Sequence, residues 1–338
     1  MTAQPHPAPK QTAPFGLWPS PITPGSLAEG KRLDGVCFDS DGRTLVWLEG
    51  RSGKGVLVAQ HIGDAEGDSP RDLTAELSVR AEVGYGGGDF TVQGGHAYFV
   101  VHKTGRIFRQ PLAGGAARAI TPAFGSASSP VVSPDGRFVA FVHTYEDRDC
   151  LAVVDAAGEG WPQILTAGHD FYMQPRFSPD GRHFAWIAWN HPNMPWDGTQ
   201  LCLAPIEHDG RGLPRLGQSR VVAGGDETIA FQPEFTPDGK QLLYVSDESG
   251  WGRLSICDLA GGQHRPLTPE GIEYAAPAWV QDMRTYAVSA DGRYAVAAGN
   301  QRGFQQLRRI ELASGDSQPA PELADYSEIT CLAASPAG

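Results

Sequence analysis

The sequence predicts an all-β fold: a β-propeller of four-stranded blades, with six readable blades and the start of a seventh. A repeated turn phrase is the first reason. Ser133-Pro134-Asp135-Gly136-Arg137 returns as Ser178-Pro179-Asp180-Gly181-Arg182 and as Thr236-Pro237-Asp238-Gly239-Lys240. Looser copies are Ser289-Ala290-Asp291-Gly292-Arg293 and Ser40-Asp41-Gly42-Arg43. Proline sets φ for a turn and Asp-Gly accepts a tight or left-handed geometry, so each copy reverses the chain between two strands. The second reason is the short apolar run that follows each copy, such as 138–142 and 184–189. The third is spacing: Gly136, Gly181, Gly239 and Gly292 stand 45, 58 and 53 residues apart. Propeller blades run about 40–50 residues, which suits these gaps once long loops are allowed.

Taken in order, residues 1–14 are polar and proline-rich and read as a flexible tail. Residues 15–32 carry Pro19, Pro21 and Pro24, which disfavour a helix, so an extended segment laid on the propeller is expected. The propeller itself spans 33–338. Blade one covers about 33–60, and Gln93-Gly94-Gly95-His96 supplies the turn of blade two. Blade three covers about 128–165, blade four begins near Gln174, and blades five and six cover about 229–267 and 278–312. Residues 329–338 read as the opening strand and degraded turn of a seventh blade, incomplete at Gly338.

A net charge of −12 leaves no basic stripe for nucleic acid. No apolar run nears the roughly 20 residues that cross a bilayer, and the N-terminus has no apolar signal core. The five cysteines are widely spaced, without a C-x-x-C pair. They read as small apolar residues in a reducing, cytoplasmic compartment. Gly84-Tyr85-Gly86-Gly87-Gly88 lacks the Lys-Ser/Thr of a phosphate loop, so these glycines imply close backbone approach at the central channel.

The innermost strand of each blade lines the channel, so the loops that enter these strands gather at one mouth. His169, Asp170, Tyr172, Glu227 and Glu273 are the candidate substrate-binding residues there, with Glu227 and Glu273 best suited to hold a cation. His169-Asp170 is also the one adjacent His-carboxylate pair near the mouth. Asp170 serves equally as a turn cap, so no metal or other cofactor is assigned.

The stretch from Gly168 to Arg182 resembles the propeller of the prolyl oligopeptidase family of serine peptidases, nearest its dipeptidyl-aminopeptidase and acylaminoacyl-peptidase branch. The loop His191-Pro192-Asn193-Met194-Pro195-Trp196-Asp197-Gly198-Thr199, the opening Trp18-Pro19-Ser20-Pro21-Ile22-Thr23 and Ser246-Asp247-Glu248-Ser249-Gly250-Trp251 are similar to that branch. Val83-Gly84 departs from the His-Glu often found before Tyr-Gly-Gly-Gly, so any role of that carboxylate is absent. The resemblance implies a partner α/β-hydrolase domain, which this chain lacks: no Gly-x-Ser-x-Gly is present, and Gly50-Arg51-Ser52-Gly53-Lys54 only approaches it. It also implies a gate that admits short peptides. His191, Asn193, Met194, Trp196 and Asp197 then form the loop facing the hydrolase domain.

Two further readings stand beside this one. The first is a stand-alone TolB-like propeller that binds proteins or peptides. The second is a propeller enzyme with a channel metal, disfavoured because no histidine pair has ligand spacing on one strand. An exposed apolar patch containing Trp18, Phe171, Met194 and Trp196 is expected where a hydrolase domain would sit, and with it self-association into homo-oligomers.

Overall fold

In the computed structural model, the described residues are 12–18, 20–28, 30–63, 69–84, 86–210, 212–323 and 325–338. Most of the expected tail and Tyr85 lie outside them. The turn phrase builds the same hydrogen-bonded unit at its three full copies and at the looser copy beginning with Ser289. The Ser133, Ser178, Thr236 and Ser289 hydroxyls donate to the aspartate two residues on, at 2.5, 2.6, 2.7 and 2.6 Å. That carboxylate accepts the backbone N–H two residues further along, and the hydroxyl oxygen accepts the N–H that opens the next strand. The glycine of each copy has φ between 67° and 73°, a left-handed conformation that a side chain disfavours.

These turns join the first two strands of sequential antiparallel blades. Blade 1 is β1 (Arg32–Phe38), β2 (Thr44–Arg51), β3 (Lys54–His61) and β4 (Arg71–Asp72); blade 2 is β5 (Phe90–Gln93), β6 (His96–Val101), β7 (Arg106–Pro111) and β8 (Arg118–Ala119). Blade 3 is β9 (Ser126–Val132), β10 (Phe138–Tyr145), β11 (Arg148–Asp155) and β12 (Gln163–Thr166). Blade 4 is β13 (Phe171–Phe177), β14 (His183–Trp189) and β15 (Gln200–His208), with β16 (Pro214–Leu216) and β17 (Arg220–Gly224) both paired to β15. Blade 5 is β18 (Ala230–Phe235), β19 (Gln241–Ser246), β20 (Arg253–Asp258) and β21 (Arg265–Pro266). Blade 6 is β22 (Tyr286–Val288), β23 (Tyr294–Gln301), β24 (Phe304–Glu311) and β25 (Ser317–Pro319).

Alternation along the strands sends successive side chains to opposite neighbouring blades. Ala140 and Val142 pack with Phe184 and Trp186 of blade 4, while Val139 and Phe141 pack with Tyr98 and Ile107 of blade 2. Similar cores join blades 1 and 2, 4 and 5, and 5 and 6. Among the described residues no such core joins blade 6 to blade 1.

The expected seventh-blade strand does not form: residues 329–338 contain no strand. They run instead as irregular chain along that seam. Ile329 N–H donates to Gln305 Oε1, Arg284 Nε donates to the Leu332 carbonyl, and Ser335 Oγ donates to the Gly42 carbonyl of blade 1. Side-chain partners take up these backbone groups in place of a strand ladder. Segment 15–32 also differs from expectation, with a short helix α1 (Pro24–Ala28). Thr23 Oγ1 accepts the Ser26 N–H and Pro24 occupies the first turn, where its missing N–H costs nothing. Phe15, Leu17, Trp18, Ile22 and Leu27 of this segment are exposed rather than laid on the propeller.

The innermost strands of blades 3, 4 and 5 share a bulge. Ser129-Pro130, Gln174-Pro175 and Gln232-Pro233 each set two residues opposite one on the next strand. The first residue of each pair has φ of 49°, 51° and 51°, and proline, lacking N–H, suits the unpaired second place. The bulge turns the glutamine side chains into the buried centre. Gln174 Oε1 accepts the Gln232 N–H at 2.6 Å, and Gln174 Nε2 donates to the Met283 carbonyl at 2.9 Å. Gln232 Oε1 accepts the Thr285 N–H at 2.7 Å, and its Nε2 donates to the Tyr286 carbonyl at 2.6 Å. Replacing Gln232 by Leu leaves two backbone groups without partners, at about 1–3 kcal/mol each. A loss of about 2–6 kcal/mol in unfolding free energy is expected by urea titration; a loss under about 1 kcal/mol would show that the amide does not hold blades 5 and 6 together.

Candidate functional site

The loops that enter innermost strands meet the hairpins between second and third strands on one face. Asp170 accepts the His191 backbone N–H at 2.9 Å and lies 3.1 Å from its Nδ1, and Glu273 and Asn300 exchange backbone hydrogen bonds. This face is the mouth. The segment 279–284, which leads into β22, crosses it toward the opposite side of the ring. Gln281 pairs with Gly87 of blade 2. Its side chain accepts from Ser129 Oγ at 3.0 Å and donates to the Tyr172 carbonyl at 2.9 Å.

The five predicted binding residues do not converge. Tyr172 is buried and its hydroxyl accepts the His169 N–H. His169 and Asp170 are tied to the 190–191 loop, with Asn190 bonded to both. The backbone N–H and ring of His191 hold the Asp170 carboxyl below its ordinary range. Glu273 is taken up by the Gly252 and Ala275 N–H groups at 3.1 and 2.9 Å. Glu227 is exposed on the loop before β18.

The mouth cavity instead opens beside blades 1 and 2, with a volume of about 610 Å³. None of the five residues lines it; Asp34, Asp89, Asp282, Lys54, Arg80 and the glycines 86–88 do. Arg32 Nε donates to Asp34 at 2.5 Å. Arg176 reaches Asp282 at 2.5 Å and Glu234 at 3.2 Å, and Arg284 reaches Glu234 at 2.8 Å. Burial alone would lower the Arg176 guanidinium, but the charges of Asp282 and Glu234 outweigh it and hold the group charged. Asp89 accepts the Ala81 N–H at 2.7 Å. Burial pushes its carboxyl up to about 6; the Ala81 bond and Arg80 oppose this, while Asp34 and Asp282 reinforce it.

Sequence reading missed Asp34, Asp89, Asp282 and Arg176. A signal existed for one of them. Gln174-Pro175-Arg176 and Gln232-Pro233-Glu234 stand equally far ahead of their turn phrases, placing Arg176 and Glu234 in matching channel positions of neighbouring blades.

The 191–197 loop is held by Asn193 Nδ2, which donates to the Asp226 carbonyl at 2.7 Å, and by Asp197, which accepts the Met194 N–H at 2.9 Å. Trp196 lies against Trp279, ring centroids 4.4 Å apart. Met194 and Trp279 are exposed, giving an apolar patch on the mouth face. Of the residues expected there, Phe171 is instead half-buried between Trp189 and His191, and Trp18 donates its indole N–H to Ala13 within the N-terminal segment.

No protein-family profile matches the chain. A Mycobacterium tuberculosis puromycin-hydrolyzing peptidase is 28% identical over 92% of the chain with a TM-score of 0.78. A puromycin hydrolase mutant complexed with PGG is 29% identical over 95% with a TM-score of 0.82. The likeness is to the β-propeller half of prolyl oligopeptidase-family peptidases. The propeller spans about half the length of those peptidases, 50% and 51%. Tol-Pal system protein TolB of Roseobacter denitrificans is 29% identical over 113 residues, 33% of this chain and 24% of its own length. An oligogalacturonate lyase in complex with manganese, 16% identical with a TM-score of 0.61, shares the fold alone. Among the described residues no helix is long and apolar enough to cross a membrane.

Two outcomes are expected from the cavity. Arg176→Met strands Asp282 and leaves Glu234 to Arg284 alone, and a loss of about 3–5 kcal/mol is expected in chemical unfolding. Asp89 binds its proton more tightly folded than unfolded, so its share of stability declines as pH rises from about 4 to about 6. Asp89→Asn removes that decline. The variant should gain up to about 3 kcal/mol on the wild type across this window, measured as the difference between their pH-stability curves. A flat difference would show that Asp89 titrates normally.

Proposed function

We propose that this propeller is the substrate-access half of a serine exopeptidase, seated by its mouth face on an α/β-hydrolase domain. The observation that carries this reading is the match to two puromycin-hydrolysing peptidases over nearly the whole chain but half of theirs. The patch of Met194, Trp196 and Trp279 supplies an apolar surface for that partner. A mouth cavity of about 610 Å³ has room for short peptides and free ends but not for a folded chain. There Asp89, backed by Asp34 and Asp282, holds a cationic peptide amine. The unpaired cysteines suit a cytoplasmic setting, and burial pushes Cys150, Cys202 and Cys257 up to about 11, which keeps them unreactive.

The test is kinetic and uses the intact gene product with chromogenic aminoacyl, dipeptidyl and N-acyl substrates. Asp89→Asn is expected to raise KM about tenfold for free-amine substrates and to leave N-acyl substrates unchanged. Equal effects on both would overturn the amine contact. The TolB match supports a second reading, a stand-alone binding propeller. A native protein of about 36 kDa without peptidase activity would select it.

A further inference from the structure

A second cleft lies at the rim between blades 2 and 3, apart from the mouth cavity, with a volume of about 650 Å³. Its walls are aromatic. Phe124 stacks on Tyr145 with centroids 4.1 Å apart and meets Trp161 at 6.3 Å. Trp161 and Ile164 are each 68% exposed, an unusual amount of apolar surface to leave bare within one concavity. The wall is held in place: His143 Nε2 donates to the Phe124 carbonyl at 2.9 Å, fixing the loop that carries this ring.

The charge at the lip is predominantly negative. Glu146 and Asp147 form a hairpin tip with φ of 50° and 58°, and Asp147, Asp149 and Asp170 line the cleft against a single cation, Arg148. Asp170 is already engaged by His191. Burial raises the Asp149 carboxyl, so a cation beside it replaces hydration it has lost. A cation gains from aromatic faces as well as from carboxylates, and an attached apolar group fills the space between the rings.

We infer that this cleft binds a small organic cation, an amine that carries an aromatic or branched apolar group. The aromatic faces take the apolar group, while Asp147 and Asp149 select the positive end. An anion of the same shape meets uncompensated carboxylates and is rejected.

The probes are 2-phenylethylamine, the neutral 2-phenylethanol and the anionic 3-phenylpropionate, titrated calorimetrically against the full chain at low salt. Saturable binding is expected in the order amine, alcohol, acid. Trp161→Ala should weaken the amine and the alcohol about tenfold. Asp149→Asn should weaken the amine about fivefold and leave the alcohol unchanged. Trp251→Ala, at an exposed tryptophan on another blade, should change neither, and near-wild-type melting of the variants confirms that they fold. Absence of saturable binding, equal binding of amine and acid, or an amine affinity indifferent to Trp161 or to Asp149 would each overturn the assignment.

Discussion

The fold depends on buried amide groups that tie the innermost strands to one another across the axis. Innermost strands in a propeller present backbone groups to a centre that holds little water, and an unpaired buried N–H or carbonyl is costly. Gln174, Gln232 and Gln281 meet that demand, each satisfying groups on other blades through both its oxygen and its nitrogen. The left-handed bulges at Gln174 and Gln232 aim the side chains inward. Strain accepted at two backbone positions is offset by four hydrogen bonds in a low-dielectric centre.

The same centre explains why the site is lopsided. Around blades 4 and 5 the channel is filled by glutamines and by the Arg176, Glu234, Arg284 and Asp282 network. Segment 279–284 crosses to blade 2, where a Cβ at Gly87 would meet Gln281 and one at Gly88 would meet Ser129, so these glycines allow the close approach, and a cavity lies open beside blades 1 and 2. Asp34 and Asp89 stand in that space. Their placement follows from what occupies the rest of the channel, not from any local motif.

The joint between blades 6 and 1 obeys a different rule from the others. Five interfaces are apolar cores, formed by strands that alternate sides. The sixth is spanned by residues 327–338 through hydrogen bonds to Gln305, Arg284 and Gly42. Polar contacts of this kind can exchange with water at small net cost, unlike the apolar cores of the other five joints.

The blades were legible from the sequence because their information is local. A hydroxyl, an aspartate and a glycine within four residues make a turn wherever they occur, and the alternation after each turn assigns both faces of a strand. The 191–197 loop is ordered partly from within, by Asp197 on the Met194 N–H, and partly by Asp226 and Trp279 from far along the chain. What the sequence alone determined is therefore the all-β repeat, six blades, their turns and the likeness to a peptidase propeller. Tertiary structure decided which mouth residues meet. His169 and Asp170 went to a loop lock, Glu273 to two backbone N–H groups, and Asp89 and Asp282, 193 residues apart, to one cavity. Ring closure brings such residues together through contacts that no local pattern encodes. It likewise left residues 329–338 as a seam rather than a strand, with the Ile329 N–H bonded to the Gln305 side chain and the Leu332 carbonyl to Arg284.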